Sequence, residues 1–128
     1  MGEIQVFSVA SQRAKWLADR QAVVASNIAN AVTPGFKAKD VVPFSVVLGG
    51  AEGGLNRTNP RHLDVAGMDS VTSATATQLD PTGKTTESGN SVSIERELVK
   101  GGQVAGAYSL NTNVIKAFHK MMLMSVRG

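Results

Sequence analysis

With 128 residues, 42% of them apolar but only 5% aromatic, the chain suits one ordinary domain, yet it has few large rings to fill a thick interior. It lacks cysteine, which excludes a disulfide framework and thiolate chemistry. The net charge of +3 is unevenly laid: two basic ends, 1–40 and 91–128, flank an acidic middle, 41–90, and the scattered Lys and Arg do not form the clustered, aromatic-studded face of a nucleic-acid binder.

Met1 to Ala10 has neither a basic leader nor a continuous apolar run. It is not read as a cleavable signal peptide, and no window approaches the ~18–20 apolar residues of a membrane span. From Glu3 to Asn30 the pattern is that of one amphipathic helix. Val6, Ala10, Ala14, Leu17, Val24, Ile28 and Ala31 recur at spacings of three, four or seven, with Gln21 filling the polar gap. Ile4, Phe7, Ala18 and Ala25 widen the apolar face. Thr33-Pro34-Gly35 ends the helix: Pro sets φ at the second turn position, and Gly admits positive φ at the third. Phe36 follows as an apolar residue suited to hold that corner or simply to join a core.

The middle, Phe36 to Gly89, is dense in breakers: Gly49-Gly50, Gly53-Gly54, Asn59-Pro60, Asp80-Pro81-Thr82-Gly83 and Ser88-Gly89. Val41 to Leu48 reads as a short β-prone run broken by Pro43, and Val71 to Gln78 alternates weakly. Short strands or mobile extended segments are expected here. The third part, Ser93 to Met124, is again helical. Ile94, Leu98, Gly101, Ala105, Tyr108, Thr112, Ile115, His119, Met122 and Val126 are spaced four, three, four, three. Val104, Ala107, Val114, Phe118 and Met121 form a second row beside them. Ser93 is placed to cap the N-terminus, with Glu95 and Glu97 in the first turn. Gly102, Gly106 and Ser109 make a small-residue row that fits either close helix approach or a kink or late start of the helix.

The division is therefore 1–35, an N-terminal helix and turn; 36–90, an extended, β or flexible middle; and 91–128, a C-terminal helix. The fold class is mainly α, with the two long end helices forming a coiled-coil layer around a small irregular or β segment. Their apolar faces are wider than a single partner would cover, so copies stacked through heterologous contacts would extend the layer into a tube. Leu17, Val24, Ile28, Leu98, Ile115, Phe118 and Met122 are the candidates for helix–helix packing. Asn27 and Asn30, at the end of an apolar helix, either bond an adjacent subunit and fix register or serve as a plain C-cap.

Catalytic readings find little support. His62 and His119 are far apart and lack carboxylates at metal-ligand spacing. Residues 49–54 form a Gly-rich stretch without the Lys-Ser/Thr of a phosphate loop. No enzyme activity and no cofactor is expected.

Residues 25–40, reading ASNIANAVTPGFKAKD, resemble the signature of the bacterial flagellar basal-body rod protein family, in which a long N-terminal helix ends in such a turn. The form TPGFKAKD is closest to the proximal-rod B type. Thr58-Asn59-Pro60-Arg61-His62-Leu63 is similar to a stretch in the middle of that type. Residues 89–97, GNSVSIERE, resemble the start of the family's second helix, and Tyr108, Asn111, Lys116 and Met121-Met122 continue the likeness. The resemblance implies a structural, self-assembling subunit of the periplasmic rod, exported through the flagellar type III apparatus without a cleaved signal peptide. It implies as partners copies of the chain, other rod subunits and the adaptor joining the rod to the membrane ring, with no nucleic acid and no embedding in the membrane. Phe44 and Leu48 fit an F-x-x-x-apolar pattern similar to an export recognition element; a β-strand is the plainer reading. A C-type or other rod subunit, or a helical adaptor module, is the alternative.

Overall fold

A computed structural model describes residues 2–52 and 76–128. The elements run α1 (Gly2–Ala29), β1 (Lys39–Val41), α2 (Phe44–Glu52), β2 (Thr77–Leu79) and α3 (Ile94–Arg127). At 1.5 Å per residue, the 28 residues of α1 and the 34 of α3 span about 42 and 51 Å. The mainly helical class with long end helices and a small strand-containing middle is thus the observed one. The stretch Thr58–Leu63, with His62, lies outside the described residues.

The two long helices pack antiparallel. Asn27 meets Glu97 near one end, the side of Gly101 faces Val24, Asn111 reaches Ala10, and Phe7 meets Phe118 toward the other. The Phe7 and Phe118 rings lie edge to face with centroids 5.8 Å apart, a favoured aromatic geometry. Buried residues recur every seventh position on both helices: Ala10, Leu17 and Val24 on α1, Glu97, Val104 and Asn111 on α3. This is the seam of a two-helix coiled coil, and it is thin: among the described residues Leu17 is the one large apolar side chain that it buries fully.

The observed seam departs from the sequence-based rows. Gly101, Tyr108, Ile115 and Met122 border it and Thr112 is half-buried, but Leu98, Ala105 and His119 are exposed, Leu98 at 63%. The other half of the seam is Glu97, Val104, Asn111 and Phe118; the second apolar row of the sequence contains Val104 and Phe118, whereas the polar Glu97 and Asn111 escape a count of apolar positions. α3 also runs unbroken through Gly101-Gly102. A Cβ on Gly102 or Gly106 would meet nothing within 4 Å, so the small-residue row is neither a kink nor a close approach between helices of this chain.

The middle brings one expected feature and one correction. β1 and β2 pair antiparallel in the register Lys39↔Leu79, Asp40↔Gln78, Val41↔Thr77, and the ribbon packs against α1. Phe44 to Leu48, read from its β-branched residues as strand, is helical instead. Pro43 does not interrupt a strand here; its carbonyl accepts the bonds from the Val46 and Val47 N–H groups that open α2, and its lack of an N–H costs nothing at a helix start. Trp16 on α1 fastens this region by donating Nε1–H to the Val42 carbonyl at 2.7 Å. Its ring packs on Phe44, and the Arg13 guanidinium lies 5.4 Å from the Phe44 centroid, within cation–π range.

Candidate assembly site

Where α1 ends, the chain turns through Asn30–Gly35 and meets the segment that leads into α3. Gly35 (φ 75°) and Gly89 (φ 81°) are the residues with positive φ among those described, and they abut each other. A Cβ on Gly89 would lie 3.3 Å from the Gly35 Cα. The Gly35 N–H donates to the Ser88 carbonyl at 2.8 Å, and the Ser91 N–H to the Phe36 carbonyl at 3.0 Å. Ser91 Oγ in turn accepts from the Ala38 N–H at 2.8 Å. Asn90 holds the corner from beneath. Its Nδ2 donates to the carbonyls of Asn30 (2.9 Å) and Thr33 (2.8 Å), which also accept turn bonds from the Thr33 and Phe36 N–H groups, and its Oδ1 accepts from the Val92 N–H. Residues 25–40 and 89–97, singled out separately in the sequence, are each other's partners.

Asn27 is 1% exposed and uses its whole amide within the chain. Nδ2 donates to the Lys39 carbonyl (2.7 Å) and to Glu97 Oε2 (3.1 Å), while Oδ1 accepts from the Lys39 N–H (3.1 Å). It thereby ties α1 to β1 and α3 at once. Asn30 behaves as the plain cap, with Nδ2 on the Ser26 carbonyl at 2.8 Å and Oδ1 receiving the Thr33 hydroxyl. Ser93 occupies the N-cap of α3, but its side chain makes no capping bond to the backbone and donates instead to Glu95 Oε2.

Beside Asn27 lies an ionic cluster that sequence patterning did not reveal. Lys100 Nζ sits 2.6 Å from Asp80, 3.3 Å from Glu97 and 3.8 Å from Asp40. Arg20 forks onto both oxygens of Asp40 at 3.3 and 3.4 Å. Burial alone would raise the Asp80 carboxyl. The hydrogen bonds it accepts from Lys100 and from the hydroxyl and N–H of Thr82 outweigh that and lower its pKa to about 2. Burial likewise opposes the charge on Lys100, but its bond to Asp80 and the fields of Glu97, Asp40 and Asp80 raise its pKa above the ordinary lysine value. Among the described residues no buried side-chain nitrogen or oxygen lacks a hydrogen-bond partner. The only sequence signal for these residues was their period: Glu97 lies seven before Val104 and fourteen before Asn111.

Away from the corner the surface changes character. Ile28 and Leu98 are exposed, Tyr108 is 52% exposed, and Ile115, Phe118 and Met122 are half-buried along the seam with Leu17 and Val24 within it. Phe36 is half-buried in the corner, with Thr33 and Pro34 exposed outside it, and Leu48 is half-buried on α2. Among the described residues the arrangement gathers no group of side chains into a catalytic constellation. Among the described residues no group of His, Asp and Glu is placed to hold a metal, and no helix is long and apolar enough to cross a membrane. It offers a braced corner and a thin helical hairpin with apolar side chains in water.

Known proteins resemble this sequence. The model of the family described as flagella basal body rod protein matches residues 7–37, the span from α1 through the corner turn. The flagellar basal body rod protein FlgB of Agrobacterium fabrum is 45% identical over 132 residues, an alignment covering 99% of this chain and 96% of that protein. The likeness takes in both end helices and the segment joining them, so the chain belongs to the flagellar basal body rod protein family.

Proposed function

We propose that this chain is a structural subunit of the proximal flagellar rod, of the B type, which joins copies of itself and other rod proteins in the periplasm and helps carry torque through the basal body. The observation that carries this reading is the likeness to a flagellar rod protein along the whole length of both chains. The surface supports it: a single chain buries one narrow seam and leaves large apolar residues such as Ile4, Leu98 and Tyr108 exposed, which neighbouring helices would cover. In this reading Ile28, Leu98, Tyr108, Ile115 and Met122 meet other subunits. Asn27 acts earlier, holding the two helices of one subunit in register so that those faces are presented.

The subunit leaves the cell body unfolded through the flagellar type III apparatus and meets the adaptor between the membrane ring and the rod. Phe44 and Leu48 serve as its export element. Phe44 packs on Trp16 in the folded subunit, so that role belongs to the unfolded chain. The chain has no enzymatic role. Deleting its gene should abolish rods and swimming, and restoring it should recover both; a deletion strain with no paralogue that still built rods and swam would overturn the reading. Purified protein should be a monomer of modest helicity with protease-sensitive ends, gaining helix on association.

A further inference from the structure

The short helix α2 is held in its shape from outside. Its 9 residues are too few for a helix to stand alone in water, and Val46, Val47, Gly49 and Gly50 among them do not favour the helical state. The contacts that fix it come from α1. Trp16 donates Nε1–H to the Val42 carbonyl just before α2 (2.7 Å), the Trp16 and Phe44 rings pack with centroids 5.8 Å apart, and Arg13 covers the Phe44 ring at 5.4 Å. The rest of the subunit is braced elsewhere: Asn27, Asn90 and the Lys100 cluster join α1, β1, α3 and the end of β2 without using α2. One side chain, Trp16, can therefore seat or release α2 while the corner and the long hairpin stay formed.

We propose that Trp16 is a mask on Phe44, and that its seating, a local event separable from the folding of the whole chain, switches recognition of the Phe44–Leu48 element off. This rests on the reading of that element as an export signal, and it adds the contact that regulates it. Seated, Phe44 is half-buried between Trp16 and Arg13 and fixed on a helix. Released, α2 loses its helix, and an apolar receptor groove can take Phe44 together with Leu48 four residues on. A subunit whose α2 has docked no longer engages the export apparatus.

The mask is tested on the full-length chain with Trp16→Ala, and with Trp16→Phe, which keeps a ring but lacks the N–H. Under native conditions, chymotrypsin cleavage after Phe44 reports the released population. It should rise about tenfold in Trp16→Ala, as loss of one hydrogen bond and one aromatic pair implies, and less in Trp16→Phe. Cleavage after Tyr108, within α3, should not change. The refolded chains are then presented to inverted membrane vesicles that carry the flagellar export apparatus, with vesicles lacking it as the baseline. Trp16→Ala should bind about tenfold more tightly than the unaltered chain, in step with its released fraction, and Trp16→Ala/Phe44→Ala should lose that gain. Cleavage rising equally after Phe44 and Tyr108 would show that Trp16 merely stabilises the fold, and unchanged cleavage after Phe44 that it masks nothing; either overturns the inference. So does release of α2 without a gain in vesicle binding, or a gain that survives Phe44→Ala. The export reading is judged separately, on the chain before it folds: if Phe44→Ala alone is secreted as well as the unaltered chain, that reading fails whatever Trp16 does.

Discussion

The corner and the distal hairpin are built on opposite terms. At the corner, Asn27, Asn90, Ser91 and Glu97 are buried and polar, and each has its partners inside the same chain. Along the distal hairpin the seam is closed by Ala10, Leu17 and Val104, while Ile4, Leu110, Met121 and Met124 stand in water. The difference separates two tasks. The chain determines its own path at the corner, using directional bonds that tolerate no substitute. It leaves the burial of apolar surface, which is non-directional, for neighbouring helices to complete.

The sharpest way to break this contrast is to alter two adjacent residues, Glu97 and Leu98. Glu97→Ala leaves one of the two Asn27 Nδ2–H groups without its acceptor and takes one of three carboxylates from around Lys100, and should destabilise the isolated chain by about 3 kcal/mol in urea titration. Leu98→Ala, on an exposed side chain, should change stability by under about 0.5 kcal/mol, yet impair rod assembly. If the two effects on the monomer were equal, the division between corner and hairpin would fall. Next in size is Gly89→Ala. Its Cβ would press on Gly35 from a positive-φ backbone, and a loss of about 2 kcal/mol is expected, measurable as a lower midpoint in thermal circular dichroism.

Acid should also act on the corner first. Asp80 is lowered from an ordinary 3.8 to about 2 in the folded chain. The stabilisation this represents is complete above about pH 4 and drains away as pH falls toward 2. Its size is about 1–2 kcal/mol once solvent screening is allowed for. Asp80→Asn should flatten that part of the acid unfolding curve. Lys100 runs the other way: its pKa is raised from 10.5, so its contribution is whole below that value and is lost only as pH rises above it. The smallest effect expected is a gain. Gly102→Ala adds a Cβ into open space on a helix and should stabilise the monomer by about 0.5–1 kcal/mol. A fall in stability would mean that α3 is not the continuous helix described.

The helices and the turn were legible because each carries a local signal: a 3.6-residue apolar period, a Pro-Gly pair, a stretch without breakers. The seam was only half legible. Its Glu97 and Asn111 positions are polar, and pattern counting treats a polar residue as a gap, although Asn111 Nδ2 donates to the Ala10 carbonyl at 3.0 Å from a buried position. The cluster of Arg20, Asp40, Asp80 and Lys100 joins residues up to 80 positions apart through β1, β2 and α3, and no periodicity reports such pairing. Residues 44–48 misled for the opposite reason: Val46 and Val47 favour strands, but Phe44 finds Trp16 on α1, and that tertiary contact decides in favour of helix.

Trp16 is the only tryptophan in the sequence, and its indole is committed to the Val42 carbonyl and the Phe44 ring. The molecule therefore contains its own optical reporter at a single, known position. Emission shifted to the blue and quenched differently from free indole would mark β1 and α2 seated on α1; a red-shifted band would mark their release. Because the signal comes from that junction alone, intrinsic fluorescence read against far-ultraviolet dichroism would time the docking of the middle segment separately from the winding of the two long helices.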